Sequence, residues 1–196
     1  MKSGTRSPFR RQFVAGLAAV IGIGLAAPAA WAADMAKNSA ATLARDGQGA
    51  LNQLYANVPV ARSIGGKAKA ILVFPKVTKA GFGIGGQYGE GVLLKGGKPV
   101  AYYNTAGISS GLQAGAQTYG YAMLFMNDGA LKSLDSTQGF EVGVGPSVVV
   151  MDEGRAKTTT STTALNDDVY AFIFGQKGLM AGLGIQGNKI TKINPK

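Results

Sequence analysis

The spacing of apolar and polar residues along the chain changes from a helical to a strand-like period near residue 66. From residue 34 to 58, apolar or small side chains recur every three or four positions, which predicts a helix with one apolar face. Pro59 can begin a second, short helix, and the pair Gly65-Gly66 can end it. We therefore expect an N-terminal helical segment over 33–59 and a short helix directly after it.

Beyond residue 66, apolar residues alternate with small or polar ones, as in half-buried strands. Pro75 is expected to end a short buried strand over 70–74, and Lys95-Gly96-Gly97-Lys98 predicts a hairpin turn. Asn127 is a suitable N-cap for a short helix through residue 134. The remaining predicted strands lie at 80–94, 99–109, 112–126, 140–151, 168–175, 179–186 and 188–193.

Glycine occupies nearly every second position of the segment KAGFGIGGQYGEG, residues 79–91. The same bare face recurs in 140–145 and 181–185. Because glycine weakens a strand, its repeated use predicts that another group approaches the backbone closely. That group is either a helix seated on a curved sheet or an elongated apolar ligand. We expect an α+β fold, a curved or barrel-like antiparallel β-sheet with the N-terminal helices packed on its glycine-rich face.

The composition argues against most catalytic chemistry. The chain has no cysteine and no histidine, so thiol nucleophiles and histidine bases are excluded. Gly107-Ile108-Ser109-Ser110-Gly111 matches the serine-hydrolase elbow but lacks that base. Gly81, Gly83 and Gly86 match a dinucleotide fingerprint, yet no acid follows between Glu90 and Asp128 to bind a ribose. We expect no enzyme activity, no cofactor and no metal site.

The N-terminus has the features of an export signal. Basic residues precede an apolar run over 13–27, and Ala30-Trp31-Ala32 supplies a small-x-small cleavage pattern. We expect a signal peptide over 1–32, cleavage before Ala33, and a periplasmic protein that can lie at a membrane surface. Arg10-Arg11 resembles the twin-arginine motif, and both that route and general secretion remain open.

Positive charge is concentrated in one part of the sequence. The formal net charge is +10, and no acid lies between Asp46 and Glu90. A basic stretch of this kind can contact the phosphates of lipid headgroups or of nucleic acid, or it can be a merely solvated surface. The basic residues of the stretch are Arg62, Lys67, Lys69, Lys76 and Lys79.

Four blocks of sequence, in order, resemble the SYLF domain family. They are AILVFPKVTKAGFGIGGQYGEGVLL, GISSGLQAGAQTYGYAMLFMNDGALKSL, FEVGVGPSVVV and DVYAFIFGQKGLMAGLGIQGNKI. The resemblance assigns 60–196 as a SYLF-like domain and implies a non-catalytic phospholipid-binding module. It implies an anionic phospholipid or membrane surface as partner, rather than nucleic acid, with the five basic residues above as the lipid-binding set.

Two points remain open at this stage. Family members are thought to place an N-terminal amphipathic helix at the membrane, but here that helix is alanine-rich, so strong insertion through it is not expected. A structural or protein-interaction domain of the periplasm, without a lipid ligand, would have the same fold and charge. The sequence identifies no protein partner.

Overall fold

The computed structural model describes residues 39–136, 139–154, 166–178 and 187–195. The predicted signal peptide and residues 33–38 lie outside these ranges. Helix α1, Ala40–Asn57, begins at Ser39, whose hydroxyl accepts a hydrogen bond from the Thr42 amide at 3.2 Å. Helix α2, Pro59–Gly65, has its proline in the first turn. Both predicted helices are confirmed over the described residues.

Two long strands form most of the sheet. Strand β1, Ala70–Lys95, and strand β2, Lys98–Phe125, are antiparallel and joined at Gly96-Gly97, whose φ angles of 56° and 75° suit a tight hairpin turn. The predicted strands 70–74 and 80–94 are one strand. Pro75 is tolerated because the strand register shifts between Phe74 and Val77, where the ladder is already interrupted. In the same way, 99–109 and 112–126 are both parts of β2.

Shorter elements follow the hairpin, and their strands complete the sheet on the other edge of β2. The elements are α3, Asp128–Ser133; β3, Phe140–Glu141; β4, Val148–Asp152; β5, Val169–Gly178; and β6, Lys189–Ile193. Strand β5 pairs with residues 117–125 of β2, and β6 pairs with residues 102–106. Strand β3 pairs with β6, and β4 pairs with β5 in parallel, while the other pairs are antiparallel.

Two sequence-based strands have different outcomes. The predicted strand 140–151 is two strands, because Gly143 and Gly145 take φ angles of 100° and 94° and turn the chain between them. The predicted strand 179–186 lies outside the described residues. The short helix at 127–134 is confirmed as α3, and the Asn127 side chain accepts a hydrogen bond from the Ala130 amide at 2.8 Å.

The β1–β2 hairpin folds back over itself. A Cβ atom added at Gly91 would lie 2.5 Å from the Val73 carbonyl oxygen, and one added at Gly89 would lie 2.8 Å from that of Lys76. The second half of β1 therefore runs back across the first half. A Cβ at Gly81 would overlap the Cα of Gly85, so the chain turns most sharply there. We call residues 81–86 of β1 and residues 107–115 of β2 the bend.

The curled sheet has a core on each face. The inner core contains Phe74 and Tyr121, stacked at 5.6 Å between ring centroids. The outer core places α1 and α2 against β1, with Leu51 and Leu54 among the buried side chains. The predicted α+β class is confirmed: the structure is a half-barrel with helices at its N-terminal side.

One detail of that prediction differs. Val92 and Leu94 of β1 pack in the same cluster as α1, whereas Gly91 between them points to the opposite face and meets Val73 and Phe74. Successive side chains of a strand point to opposite faces, so the helices rest on the bulky face. The first half of β1 packs instead against the face on which Gly89 and Gly91 lack side chains.

Candidate functional site

Three of the predicted basic residues lie together at the end of the sheet where β1 begins. Arg62 is in the last turn of α2, and Lys67 and Lys69 are in the connection to β1. All three are exposed. Backbone hydrogen bonds hold this connection in place, from the Lys67 amide to Ile64 at 2.9 Å and from the Lys69 amide to Phe125 at 2.8 Å. We call these three residues the basal group.

The other two predicted residues are separated from the basal group and from each other. Lys76 is exposed and lies at the irregularity of β1. Lys79 is only 3% exposed and pairs with Gln117 of β2, which is 5% exposed. Lys79 therefore does not share the exposed position of the other four predicted residues. Lys79 lies two residues after Val77, so it shares the inward face of that buried valine.

The structure adds one basic residue that the sequence analysis missed. Lys177 of β5 is exposed and lies opposite Thr118 of β2. Lys76 and Lys177 both line an open cleft of about 300 Å³, together with Gln53 and Thr118. The period-two pattern had predicted that this strand ends at residue 175, so Lys177 fell outside it. The one feature of the sequence that could have drawn attention to Lys177 was its position between Gly175 and Gly178.

Carboxylates are nearly absent from α2, β1 and β2, whereas the Glu153 carboxylate accepts a hydrogen bond from the Gly175 amide at 3.2 Å, beside the cleft. Between Asp46 and Asp128 the sequence contains a single acid, Glu90. Its side chain is 7% exposed and accepts a hydrogen bond from the Tyr88 hydroxyl at 2.9 Å. Over α2, β1 and β2, the exposed charges are therefore positive ones. Such a surface attracts anions over about a Debye length, roughly 8 Å at physiological salt.

Polar groups are also buried inside the half-barrel. The Tyr119 hydroxyl donates to Gln87 Oε1 at 2.7 Å, and Gln87 in turn donates to Asn188. Burial raises the pKa of Tyr119, so its hydroxyl remains a donor at neutral pH. Several other buried atoms have no hydrogen-bond partner among the described residues: Thr105 Oγ1, Gln117 Oε1, Tyr121 Oη and Asn188 Nδ2.

Large apolar side chains are exposed at the bend. Phe82 is 88% exposed, Ile84 is 72% exposed and Ile108 is 87% exposed. The sequence did not predict this exposure, because the alternation of bulky residues and glycines does not show which residues are exposed. Burial cannot be derived from alternation where the strand turns sharply, as it does between Gly81 and Gly85.

The N-terminal helix presents its apolar face to the sheet. Leu43, Leu51 and Leu54 are at most 5% exposed. Gly47 also faces inward, since a Cβ there would overlap the Val92 side chain. The described part of α1 therefore has no apolar face left to contact a membrane. Within the described ranges, none of the helices combines the length and apolar character needed to span a bilayer.

Comparison with known proteins identifies the domain. A family model described as "Ysc84: Las17-binding protein actin regulator" matches residues 106–195. This match supports membership of the SYLF domain family. The matched part of the SYLF domain covers most of β2 and all of β3 to β6. The family is linked to lipid binding and to actin regulation. Among curated protein sequences, none matches the chain.

Proposed function

We propose that this SYLF domain is a non-catalytic phospholipid-binding module of the bacterial cell envelope that recognises anionic headgroups through its exposed basic residues. The observation that carries the proposal is the charge distribution over α2, β1 and β2. Its exposed basic residues include the basal group and Lys76, and its single carboxylate, Glu90, is buried. Lysine or arginine near an anionic membrane contributes about 1 kcal/mol per residue.

The proposed location rests on the N-terminal sequence. The basic residues, the apolar run over 13–27 and Ala30-Trp31-Ala32 support export and cleavage before Ala33. In this setting the domain would meet the phospholipids of the envelope. The intact mass of the exported protein tests the location: a chain beginning at Ala33 is expected, and a retained Met1 would contradict it.

Sedimentation with vesicles tests the lipid function. The full chain, as exported, is expected to bind vesicles of phosphatidylglycerol and phosphatidylcholine more tightly as the anionic fraction rises. Binding is expected to weaken when the salt concentration is raised from 50 to 300 mM, because salt screens contacts between exposed charges and phosphates. The screening length is roughly 10 Å at 0.1 M salt and shortens as the salt concentration rises. Binding that is equal on pure phosphatidylcholine would contradict headgroup recognition by charge.

A charge-reversed variant locates the contact. Lys76→Glu with Lys177→Glu is expected to weaken binding about tenfold or more, since each residue contributes about 1 kcal/mol and reversal also adds repulsion. Lys95→Glu with Lys98→Glu is the matched control with the same change in net charge, because both lysines are exposed and flank the Gly96-Gly97 turn, where β2 begins, whereas Lys76 and Lys177 line the cleft. Equal loss in both variants would mean that only net charge matters.

A protein-interaction role is the alternative outcome. The family description itself names a protein-binding activity. If the unmodified chain binds no vesicles of any composition at 50 mM salt, while its urea denaturation shows a folded protein, the phospholipid function is wrong. The hypothesis of a structural or protein-interaction domain then takes its place.

A further inference from the structure

The bend combines two properties that rarely occur together on a water-soluble surface. Three large apolar side chains, Phe82, Ile84 and Ile108, are each more than 70% exposed. Both strands that form the bend are free of carboxylates, apart from the buried Glu90. Scattered apolar residues on a surface are ordinary, but a cluster of large ones commonly marks a contact site for a membrane or another protein.

The three side chains are close enough to act together. Ile84 lies opposite Ser110, and Ile108 lies opposite Gly86, so the two isoleucines are diagonal neighbours in the register. Diagonal neighbours are about 7 to 8 Å apart, and opposite residues of an antiparallel pair share a face. Phe82 precedes Ile84 by two residues, so at most about 7 Å of chain separates them. One small patch therefore contains all three.

Basic side chains stand behind the patch at a distance that suits a membrane surface. Lys177 lies opposite Thr118, and Thr118 lies opposite Thr78. Thr78 precedes Phe82 by four residues, so at most about 13 Å of chain separates them. The headgroup layer of one leaflet is roughly 5 to 8 Å thick. A lysine side chain can extend along the protein to reach that layer while the tip lies deeper.

We propose that the bend is the membrane-inserting tip of the domain: Phe82, Ile84 and Ile108 enter the interface of an anionic phospholipid bilayer, while Lys76 and Lys177 contact headgroup phosphates from the cleft behind them. This inference rests on the proposed phospholipid function and assigns its point of contact. The positive charge of the hairpin favours an anionic partner, and the exposed apolar side chains of the bend favour a bilayer interface over a purely acidic protein surface. The buried apolar face of α1 favours the bend over the N-terminal helix as the inserting element.

A tryptophan reporter tests insertion directly. Trp31 is the only tryptophan of the sequence and lies in the predicted signal peptide, so the exported chain beginning at Ala33 has a single reporter at the site of a new tryptophan substitution. Phe82→Trp is expected to shift its emission to the blue with vesicles of phosphatidylglycerol and phosphatidylcholine, and to be quenched by brominated acyl chains. Val100→Trp is the matched control, because Val100 is 55% exposed on β2 and lies about 25 Å along the strand from Ile108. Its emission is expected to stay constant.

Serine substitutions test the contribution to affinity. Ile84→Ser is expected to weaken vesicle binding about tenfold, and the triple variant of Phe82, Ile84 and Ile108 about a hundredfold or more. Val100→Ser is expected to change binding less than twofold. These positions are exposed, so all variants should keep the urea midpoint of the unmodified chain, which verifies folding.

The outcomes separate this inference from the function on which it rests. If the unmodified chain sediments with anionic vesicles but the Phe82→Trp reporter neither shifts nor is quenched, the bend is not inserted and the phospholipid function stands. If the chain does not sediment with vesicles, both fail. If the reporter shifts to the blue without lipid as protein concentration rises, the patch binds a second copy of the chain, and membrane insertion is wrong.

Discussion

At the scale of single residues, two neighbouring tyrosines on β2 have different hydrogen bonding. Tyr119 donates to Gln87 at 2.7 Å, whereas the Tyr121 hydroxyl, in a side chain that is 0% exposed, has no partner among the described residues. Burial raises the pKa of Tyr121 above its ordinary value, so the group stays neutral. A buried hydroxyl without a partner costs about 1 to 3 kcal/mol of stability.

Replacing each tyrosine with phenylalanine should therefore have opposite effects. Tyr121→Phe is expected to leave the free energy of unfolding unchanged or to raise it by up to about 1 kcal/mol. Tyr119→Phe removes the hydrogen bond to Gln87 and is expected to lower it by about 1 kcal/mol. Urea denaturation of the two variants measures the difference. Equal losses would indicate that Tyr121 has a hydrogen-bonded partner such as a bound water.

At the scale of elements, α1 contains two glycines in different surroundings. A Cβ at Gly47 would overlap the Val92 side chain of β1, whereas nothing lies within 4 Å of one at Gly49. Alanine is favoured over glycine in a helix by about 0.5 to 1 kcal/mol. The close approach of α1 to β1 thus depends on Gly47 and not on Gly49.

Alanine substitution at these positions should separate packing from helix propensity. Gly49→Ala is expected to raise the free energy of unfolding by about 0.5 to 1 kcal/mol. Gly47→Ala is expected to lower it by about 1 to 3 kcal/mol, because Val92 is fully buried and has little room to move. Thermal or urea unfolding provides the measurement. Stabilisation by both substitutions would show that α1 can shift away from the sheet at little cost.

Asp168 joins three elements at the start of β5. Its carboxylate accepts hydrogen bonds from the Ser147 amide at 2.9 Å, ahead of β4, and from the Asn127 side chain at 2.7 Å, at the cap of α3. These bonds, first that of the Ser147 backbone and then that of Asn127, lower the pKa of Asp168 below its ordinary value. The charged form is therefore favoured in the folded state.

The lowered pKa of Asp168 determines whether stability rises or falls with pH. Because the folded pKa is lowered, the contribution of Asp168 is fully present above the unfolded value of about 4 and is lost as pH falls through the folded value. Asp168→Asn is expected to be less stable than the unmodified chain at pH 7, with the gap narrowing below pH 4. Urea midpoints between pH 2.5 and 7 measure that gap. A difference in urea midpoint that stays constant with pH would contradict the lowered pKa of Asp168.

At the scale of the whole molecule, the fold depends on the hairpin closing over itself. Gly91 faces the Val73 carbonyl and the Phe74 ring of the same strand, 2.5 and 2.6 Å from the position of an added Cβ. Backbone contacts of this kind cannot be relieved by rotating a side chain. The two halves of β1 must therefore separate if Gly91 acquires a side chain.

Gly91→Ala is accordingly expected to lower the free energy of unfolding by about 1 to 3 kcal/mol, although alanine reduces the entropy of the unfolded chain. Gly66→Ala is the control, because a Cβ there would lie at an ordinary 3.7 Å from the Arg62 carbonyl, in a helical conformation. Its midpoint should not fall. A Gly91 variant as stable as the Gly66 variant would mean that the halves are not closely packed.

The sequence by itself determined the local elements of this protein. The periodicity of α1, the proline at the start of α2, the Gly96-Gly97 turn and the Asn127 cap all act through neighbours a few residues away. The basic, carboxylate-free stretch was likewise evident from the order of residues alone. Those features express local conformational preferences and charge, which need no partner from elsewhere in the chain.

Only the tertiary structure decided which faces those elements bury. Lys79 is inside because it shares the face of Val77, which packs in the inner core, whereas Phe82 is 88% exposed at the bend. Lys177 joined Lys76 at one cleft because residues 101 positions apart meet across the sheet. The role of Gly91 depended on Val73, which approaches it only when the hairpin closes. Contacts between distant residues carry no periodic signal, since they arise from packing of the completed sheet.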